Sequence, residues 1–217
     1  MDEHFVPVAT LATIKEEARQ AGIGKDEIGQ RVHAITLQAI QHRSLNRDQI
    51  KAVLAAVSDG VHLGLSERGG DIAQSLRAAV NGMDQALVKF AQSMQLMVEE
   101  AIAGGREFRA GELQQSLQTL RDLETLLVDT LRQTADSSAA ILKTEMNNIV
   151  THLKTSGSDA GRQALDTLTQ LASRLQAAAH SGKLGVELGL AELASRAALF
   201  ASGLLTGAAE ALRNRAK

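Results

Sequence analysis

Cysteine, tryptophan and tyrosine are absent from this 217-residue chain, and proline occurs once, at Pro7. Without cysteine the chain forms no disulfide and offers no thiolate to a metal, which is consistent with a reducing compartment. With a single proline near its start, the chain can form long uninterrupted helices. Its apolar side chains are mainly leucine and alanine, which favour helices over strands. This composition predicts an all-α protein, and we expect it in the cytoplasm.

Neither sign of charge is in clear excess, since the chain has 23 basic and 25 acidic residues and a net charge of −2. This balance gives no basic footprint for nucleic acid, so no nucleic-acid partner is expected. The first seven residues are acidic and lack the apolar core of a signal peptide. No charge-free apolar window reaches about 18 residues, so no conventional transmembrane helix is expected.

The chain does contain a regular apolar seam, whose members are spaced 4, 3, 4, 3, 4, 3, 4. This heptad pattern is typical of a helix that packs along its whole length against other helices. The members are Leu76, Val80, Met83, Leu87, Phe90, Met94, Met97 and Ala101. We expect Leu87 and Phe90 to be buried at the centre of the seam and to be candidates for packing or interaction.

The sequence pattern of residues 1–68 predicts a region of short helices that precedes the seam. The expected helices begin near Pro7, near Lys25 and at Asn46. Gln49 is placed to close a capping box with the third helix's N-cap. The polar stretch 66–70 ends in a glycine pair and marks the predicted boundary with the next region.

Residues 69–217 predict a bundle of long helices. The expected helices lie at about 70–103, 106–155, 158–181 and 184–214. The glycine pair 104–105 is expected to fold the first two into an antiparallel hairpin. Within 106–155, Glu124 occupies one position of a leucine seam. The polar stretch 133–138 holds a stutter, at which either the helix bends or its partner helix changes.

The residues that carry chemistry in other proteins do not form patterns here. The six histidines never pair at i, i+3 or i, i+4, and no Glu-x-x-His pair occurs. No Gly-x-Ser-x-Gly elbow is present. Neighbouring carboxylates such as Glu99 and Glu100 point about 100° apart on a helix and do not converge on one substrate. We therefore expect no metal, no cofactor and no catalytic residues, and we do not expect an enzyme.

The turns and the last helix complete the prediction. Ser156 and Asp159 have the spacing of a capping box for the helix at 158–181. The segment 184–212 contains only four charged residues. Gly185 and Gly189 form one small-xxx-small step, and Gly203 and Gly207 form another. The apolar face of the segment also contains one aromatic residue, Phe200. Such steps allow helix backbones to approach closely. This pattern predicts either the most buried helix of a bundle or a lipid-facing helix, and the shortage of lysine and arginine favours the first.

In composition and helix length the chain resembles bacterial surface-coating and scaffold proteins built of long Ala/Leu/Gln-rich helices, including the phasins that coat polyester granules. The resemblance assigns no residue. The leading hypothesis is a non-catalytic protein that acts through contact with a protein partner or with itself, for instance as a homo-oligomer. The alternative, which the resemblance implies, is adsorption to a lipid membrane or hydrophobic granule surface.

Overall fold

The structure, a computed structural model, describes residues 9–24, 26–41, 46–103 and 110–180. Seven helices occur in these ranges, and none of the described residues lies in a strand. The helices are α1 Leu11–Ile23, α2 Ile28–Gln41, α3 Arg47–Arg68, α4 Ile72–Ala103, α5 Ala110–Asp136, α6 Ala140–Ser156 and α7 Asp159–His180. The fold is therefore an all-α helical bundle, as the composition and heptad spacing predict. The expected turn at 104–105 and the last expected helix lie outside the described residues.

Backbone contacts divide the chain into two compact units. Unit 1 contains residues 1–90 and 124–160, and unit 2 contains residues 91–123 and 161–217. Helices α4, α5 and α7 contribute residues to both units. The division of the chain at 66–70 into a short-helix region and a long-helix bundle stays a prediction.

The first helix begins at Leu11, four residues later than expected, and its N-cap is Thr10. Thr10 has extended backbone angles, and its hydroxyl accepts a hydrogen bond from the Thr13 N–H. The third helix begins where expected, since the Asn46 side chain accepts from the Gln49 N–H at 2.9 Å. The reciprocal half of that capping box is absent: Gln49 Oε1 has no hydrogen-bond partner.

The expected helix over 106–155 is two helices. The α5 helix ends at Asp136, within the polar stretch that contains the stutter, and α6 begins at Ala140. The hydroxyls of Ser137 and Ser138 donate to the Thr134 carbonyl at 3.0 and 2.6 Å, which satisfies a carbonyl at the end of α5. The helix thus ends at the stutter rather than bending through it.

The capping box proposed for α7 is wrong, because Ser156 is the last residue of α6. Two carboxylates from distant helices cap α7 instead. Asp84, only 6% exposed, accepts from the backbone N–H groups of Asp159 and Ala160, each at 2.9 Å. Glu124 accepts from the backbone N–H of Ser158 at 3.0 Å. Negative charge at a helix N-terminus is favourable, which explains the carboxylate in the leucine seam of α5.

Small residues bring helices close together in unit 1. A Cβ added at Gly64 on α3 would lie 2.9 Å from both Gly22 Cα and Ile23 N on α1. A Cβ at Gly82 on α4 would lie 3.1 Å from His33 N on α2. Glycine within a helix is ordinarily destabilising, and these close contacts give Gly64 a packing role that offsets this cost.

The apolar seam of α4 is as predicted through Met94 and then shifts by one residue. Leu87 is 0% exposed and Phe90 2% exposed. Beyond Met94 the next buried residue is Val98, at 1% exposed, and the expected member Met97 is 45% exposed. After Met94 the buried face therefore continues four residues later, at Val98, and not three residues later, at Met97. The 3.6-residue period of a straight helix permits either spacing.

Candidate protein interface

Two large apolar side chains stand next to each other on the surface of α4 in unit 2. Leu96 is 66% exposed and Met97 45% exposed. We call this pair the α4 patch. Exposed Ser93 and Glu100 border it on the same helix face, at i, i+3 or i, i+4 spacing from its members. A single exposed leucine is ordinary, whereas neighbouring exposed apolar side chains are more typical of a contact surface.

The position of the α4 patch follows from the other two faces of the helix. One face is buried in the core of unit 2 and holds Ala91, Met94 and Val98. About 100° around the helix is a polar face that holds Gln92, Gln95 and Glu99. The remaining third of the circumference carries Ser93, Leu96, Met97 and Glu100, all of which are exposed.

The polar face of α4 is hydrogen-bonded to α7. Gln92 Nε2 donates to Gln163 Oε1 at 3.3 Å, and Gln95 Nε2 donates to Gln170 Oε1 at 2.7 Å. Arg174 forms an ion pair with Glu99 at 3.1 Å. Because residue numbers rise together on both helices, α4 and α7 run parallel in unit 2. We call these contacts the polar ladder.

The polar ladder fixes register more than it stabilises. Each hydrogen bond between two side-chain amides replaces hydrogen bonds to water, so its net contribution to stability is only about 1 kcal/mol. The apolar side of α7 provides the burial, through Leu168, Leu171 and Leu175, all 0% exposed. The two helices are therefore held by an apolar core and aligned by polar side chains.

The exposed large apolar side chains of unit 1 are scattered. Leu11, Leu63 and Ile141 are 40%, 39% and 69% exposed. They belong to three different helices, α1, α3 and α6. Ile141 thus resembles Leu96 in exposure but has no large exposed apolar side chain next to it in sequence, which makes it a useful control position.

The described titratable groups whose pKa is shifted take part in structural contacts. Burial lowers the pKa of His62, with Asp59 raising it and Lys15 lowering it. Its Nδ1 lies 2.9 Å from the Ser138 hydroxyl, which donates to the Thr134 carbonyl, so the imidazole N–H is the donor. On the surface, hydrogen bonds from Arg19 and Gln20 lower the pKa of Glu16 to about 2.

Within the described ranges, no three histidine, aspartate or glutamate side chains are grouped so as to hold a metal ion. None of the helices in those ranges is long and apolar enough to cross a membrane.

The structure separates the sequence-derived candidates into two groups. Leu87 and Phe90 are buried in unit 1, so their side chains face the core of their own chain. The other five candidates lie outside the described residues: Gly185, Gly189, Phe200, Gly203 and Gly207. Sequence reasoning missed Leu96. The sequence pattern that could have identified Leu96 is a large apolar residue outside the heptad seam, on the helix face that also holds Ser93 and Glu100.

These features define an all-α bundle protein with an exposed apolar pair on one long helix. The chain belongs to DUF6781, a family of unknown function, whose model matches residues 7–214. No curated protein and no solved structure matches the chain.

Proposed function

We propose that the protein is a non-catalytic, cytoplasmic helical-bundle protein that acts through protein–protein contact, and that a second copy of the chain is one such partner. The α4 patch carries the proposal. Leu96 and Met97 leave a large fraction of their apolar surface in water, and burying it against a partner helix is favourable.

The size of the α4 patch sets its role in the contact. Full burial of one leucine or methionine side chain contributes about 1.5–3 kcal/mol. Burying the exposed part of both side chains therefore contributes only about 1.5–3 kcal/mol on each copy, which by itself corresponds to a dissociation constant weaker than about 1 mM. A specific interface buries roughly 800 Å² on each partner, so neighbouring side chains must contribute as well. Leu96 and Met97 would therefore lie at the centre of a larger interface.

A pair of matched variants tests this proposal. In the double variant Leu96→Ser/Met97→Ser, we expect sedimentation velocity to show weaker self-association than in the wild type. The control is Ile141→Ser, which removes a side chain of equal exposure from unit 1. Equal association of all three proteins would show that the α4 patch is not a contact surface.

Adsorption to a lipid or hydrophobic granule surface is the second candidate function. The polar ladder favours it, because a helix aligned by amide hydrogen bonds can exchange them for water at little cost when a bundle opens. Opening would expose Leu168, Leu171 and Leu175 to the surface. Flotation with neutral vesicles tests this candidate: recovery of the protein with the lipid would favour adsorption over protein contact.

A further inference from the structure

We infer that α4 packs antiparallel against α4 of a second copy, about a two-fold axis that passes between Ser93 and Leu96. This arrangement rests on the proposed function, since it specifies how two copies cover the α4 patch. The charge, the size and the spacing of four exposed side chains on α4 carry it.

The four side chains form a second seam on α4, which we call the outer seam. Its members are Lys89, Ser93, Leu96 and Glu100. All four are exposed, and they are spaced 4, 3 and 4 along one uninterrupted helix. This spacing keeps them within about 60° of one another around the helix and spreads them over about 16 Å of its length. Met97, the other member of the α4 patch, lies next to Leu96 at the edge of this face.

The outer seam is complementary to itself when one copy is reversed. From its N-terminal end it reads basic, small, large and acidic, and the spacing 4, 3, 4 is the same in both directions. In an antiparallel pair, Lys89 of each copy therefore lies level with Glu100 of the other, and Ser93 lies level with Leu96. Opposite charges then meet at both ends of the contact. A small side chain faces each large one, which lets the two helices approach closely.

A parallel pair lacks both kinds of complementarity. Each member of the outer seam would lie level with its own equivalent, so the two lysines would repel each other, and so would the two glutamates. Charged side chains beside a helix–helix contact set the orientation of the partners in this way. The antiparallel arrangement is also closed, because a two-fold contact uses the same face of both copies and stops at the dimer.

The same self-complementarity selects a second copy as the occupant of the α4 patch. A different protein would need an acidic and a basic side chain at matching levels, whereas this chain supplies both on one helix face. The contact is short, so the association is weak and depends on concentration. The charges at its two ends fix the direction of the contact more than its affinity.

Charge reversal in the full chain tests this direction. Lys89→Glu and Glu100→Lys should each weaken self-association in sedimentation velocity at low salt, because each change turns two attractive pairs into repulsive ones. We expect the association constant to fall roughly 3- to 30-fold. The double variant Lys89→Glu/Glu100→Lys should recover the wild-type constant, since the exchanged charges again meet their opposites. Lys51→Glu on α3 is the control, because it makes the same change in net charge at an exposed lysine outside the outer seam.

The outcomes separate this arrangement from the proposed function. Single variants that associate as tightly as Lys51→Glu, or a double variant that stays weak, would overturn the antiparallel contact. If Leu96→Ser/Met97→Ser weakens association while the charge variants do not, the proposed function stands and the antiparallel contact fails. Should Lys89→Glu lose helicity in far-UV circular dichroism, Glu100→Lys carries the comparison by itself. A wild-type chain that stays monomeric would refute the self-contact altogether.

Disulfide formation is a second readout of direction, because the natural sequence has no cysteine. Lys89→Cys and Glu100→Cys proteins are mixed and mildly oxidised, and mass spectrometry of the linked peptides identifies the joined positions. A disulfide needs Cα atoms within about 7 Å of each other. In the antiparallel contact each position is level with the other one, and about 16 Å along the helix from its own equivalent. Disulfides between the two variants should therefore exceed those within either variant several-fold, and an equal or smaller yield would overturn the inference.

Discussion

Replacing Gly64 by alanine tests how closely α1 and α3 must approach. The new Cβ would lie 2.9 Å from Gly22 Cα and from Ile23 N, and closer still to the Arg19 carbonyl oxygen. All three atoms belong to the backbone of α1, which has no flexible end to swing aside. Since ordinary contact begins at 3.4 Å, α1 and α3 must separate by at least 0.5 Å.

The cost of this separation spreads over a well-packed interface. Ile14 and Ala18 on α1 are 1% and 0% exposed. A gap of 0.5–1 Å already loses about a quarter to a half of the dispersion energy of each contact. Overpacking of this kind costs about 1–3 kcal/mol, against a gain of about 1 kcal/mol from alanine's higher helix propensity. We expect a net loss of about 1–2 kcal/mol, because rigid backbone places the cost at the upper end.

Gly24→Ala is the matched control. Its Cβ would come too close only to the guanidinium end of exposed Arg31, which can move, whereas the Ala21 carbonyl oxygen is at an ordinary contact distance of 3.5 Å. The φ angle at Gly24 is −62°. We expect this variant to be neutral or more stable by about 0.4–1 kcal/mol, because alanine restricts the unfolded chain. Urea unfolding followed by far-UV circular dichroism measures both free energies. A Gly64→Ala protein as stable as Gly24→Ala would refute the close approach of α1 and α3.

Four further perturbations have expected outcomes. Leu87→Ala should lower the free energy of unfolding by about 2–5 kcal/mol. Ser137→Ala, in an exposed turn, should lower it by less than about 0.5 kcal/mol. Equal shifts in the urea midpoint would contradict the burial of Leu87 in the seam. Asp84→Ala should cost about 1–3 kcal/mol by leaving two N–H groups of α7 without their acceptor, and an unchanged midpoint would argue against that cap. Burial lowers the pKa of His62 in the folded chain below its ordinary value of 6.5. The free energy of unfolding should therefore be highest above pH 6.5 and decline as the pH falls below that value. His62→Gln should reduce this decline. The sequence pattern alone predicts that Gly203→Leu, outside the described residues, lowers stability by about 1–3 kcal/mol, and unchanged thermal stability would count against that sequence prediction.

Much of the fold can be read from local patterns. The heptad seam identifies the buried face of α4 through Phe90 and Met94, because burial follows directly from which side of a helix is apolar. The N-cap at Asn46 and the end of α5 near Ser137 depend on residues within one turn of each other. Such features need no knowledge of the rest of the chain.

The missed features depend on residues that are distant in sequence. The caps of α7 come from Asp84 and Glu124, which lie 75 and 34 residues before the N–H groups of Asp159 and Ser158 to which they bond. The choice between Met97 and Val98 as the buried residue is set by how α4 packs within unit 2. That choice in turn exposes the α4 patch, so the candidate interface could not be predicted from the seam alone.

Light scattering of the full chain over a range of concentrations, with and without neutral vesicles, tests the central claim of protein contact most directly. The account predicts a mass that rises above the monomer value of 23.0 kDa as concentration increases, and the same mass when vesicles are present. A mass of 23.0 kDa at every concentration, together with removal of the protein from solution by the vesicles, would contradict it and favour surface adsorption.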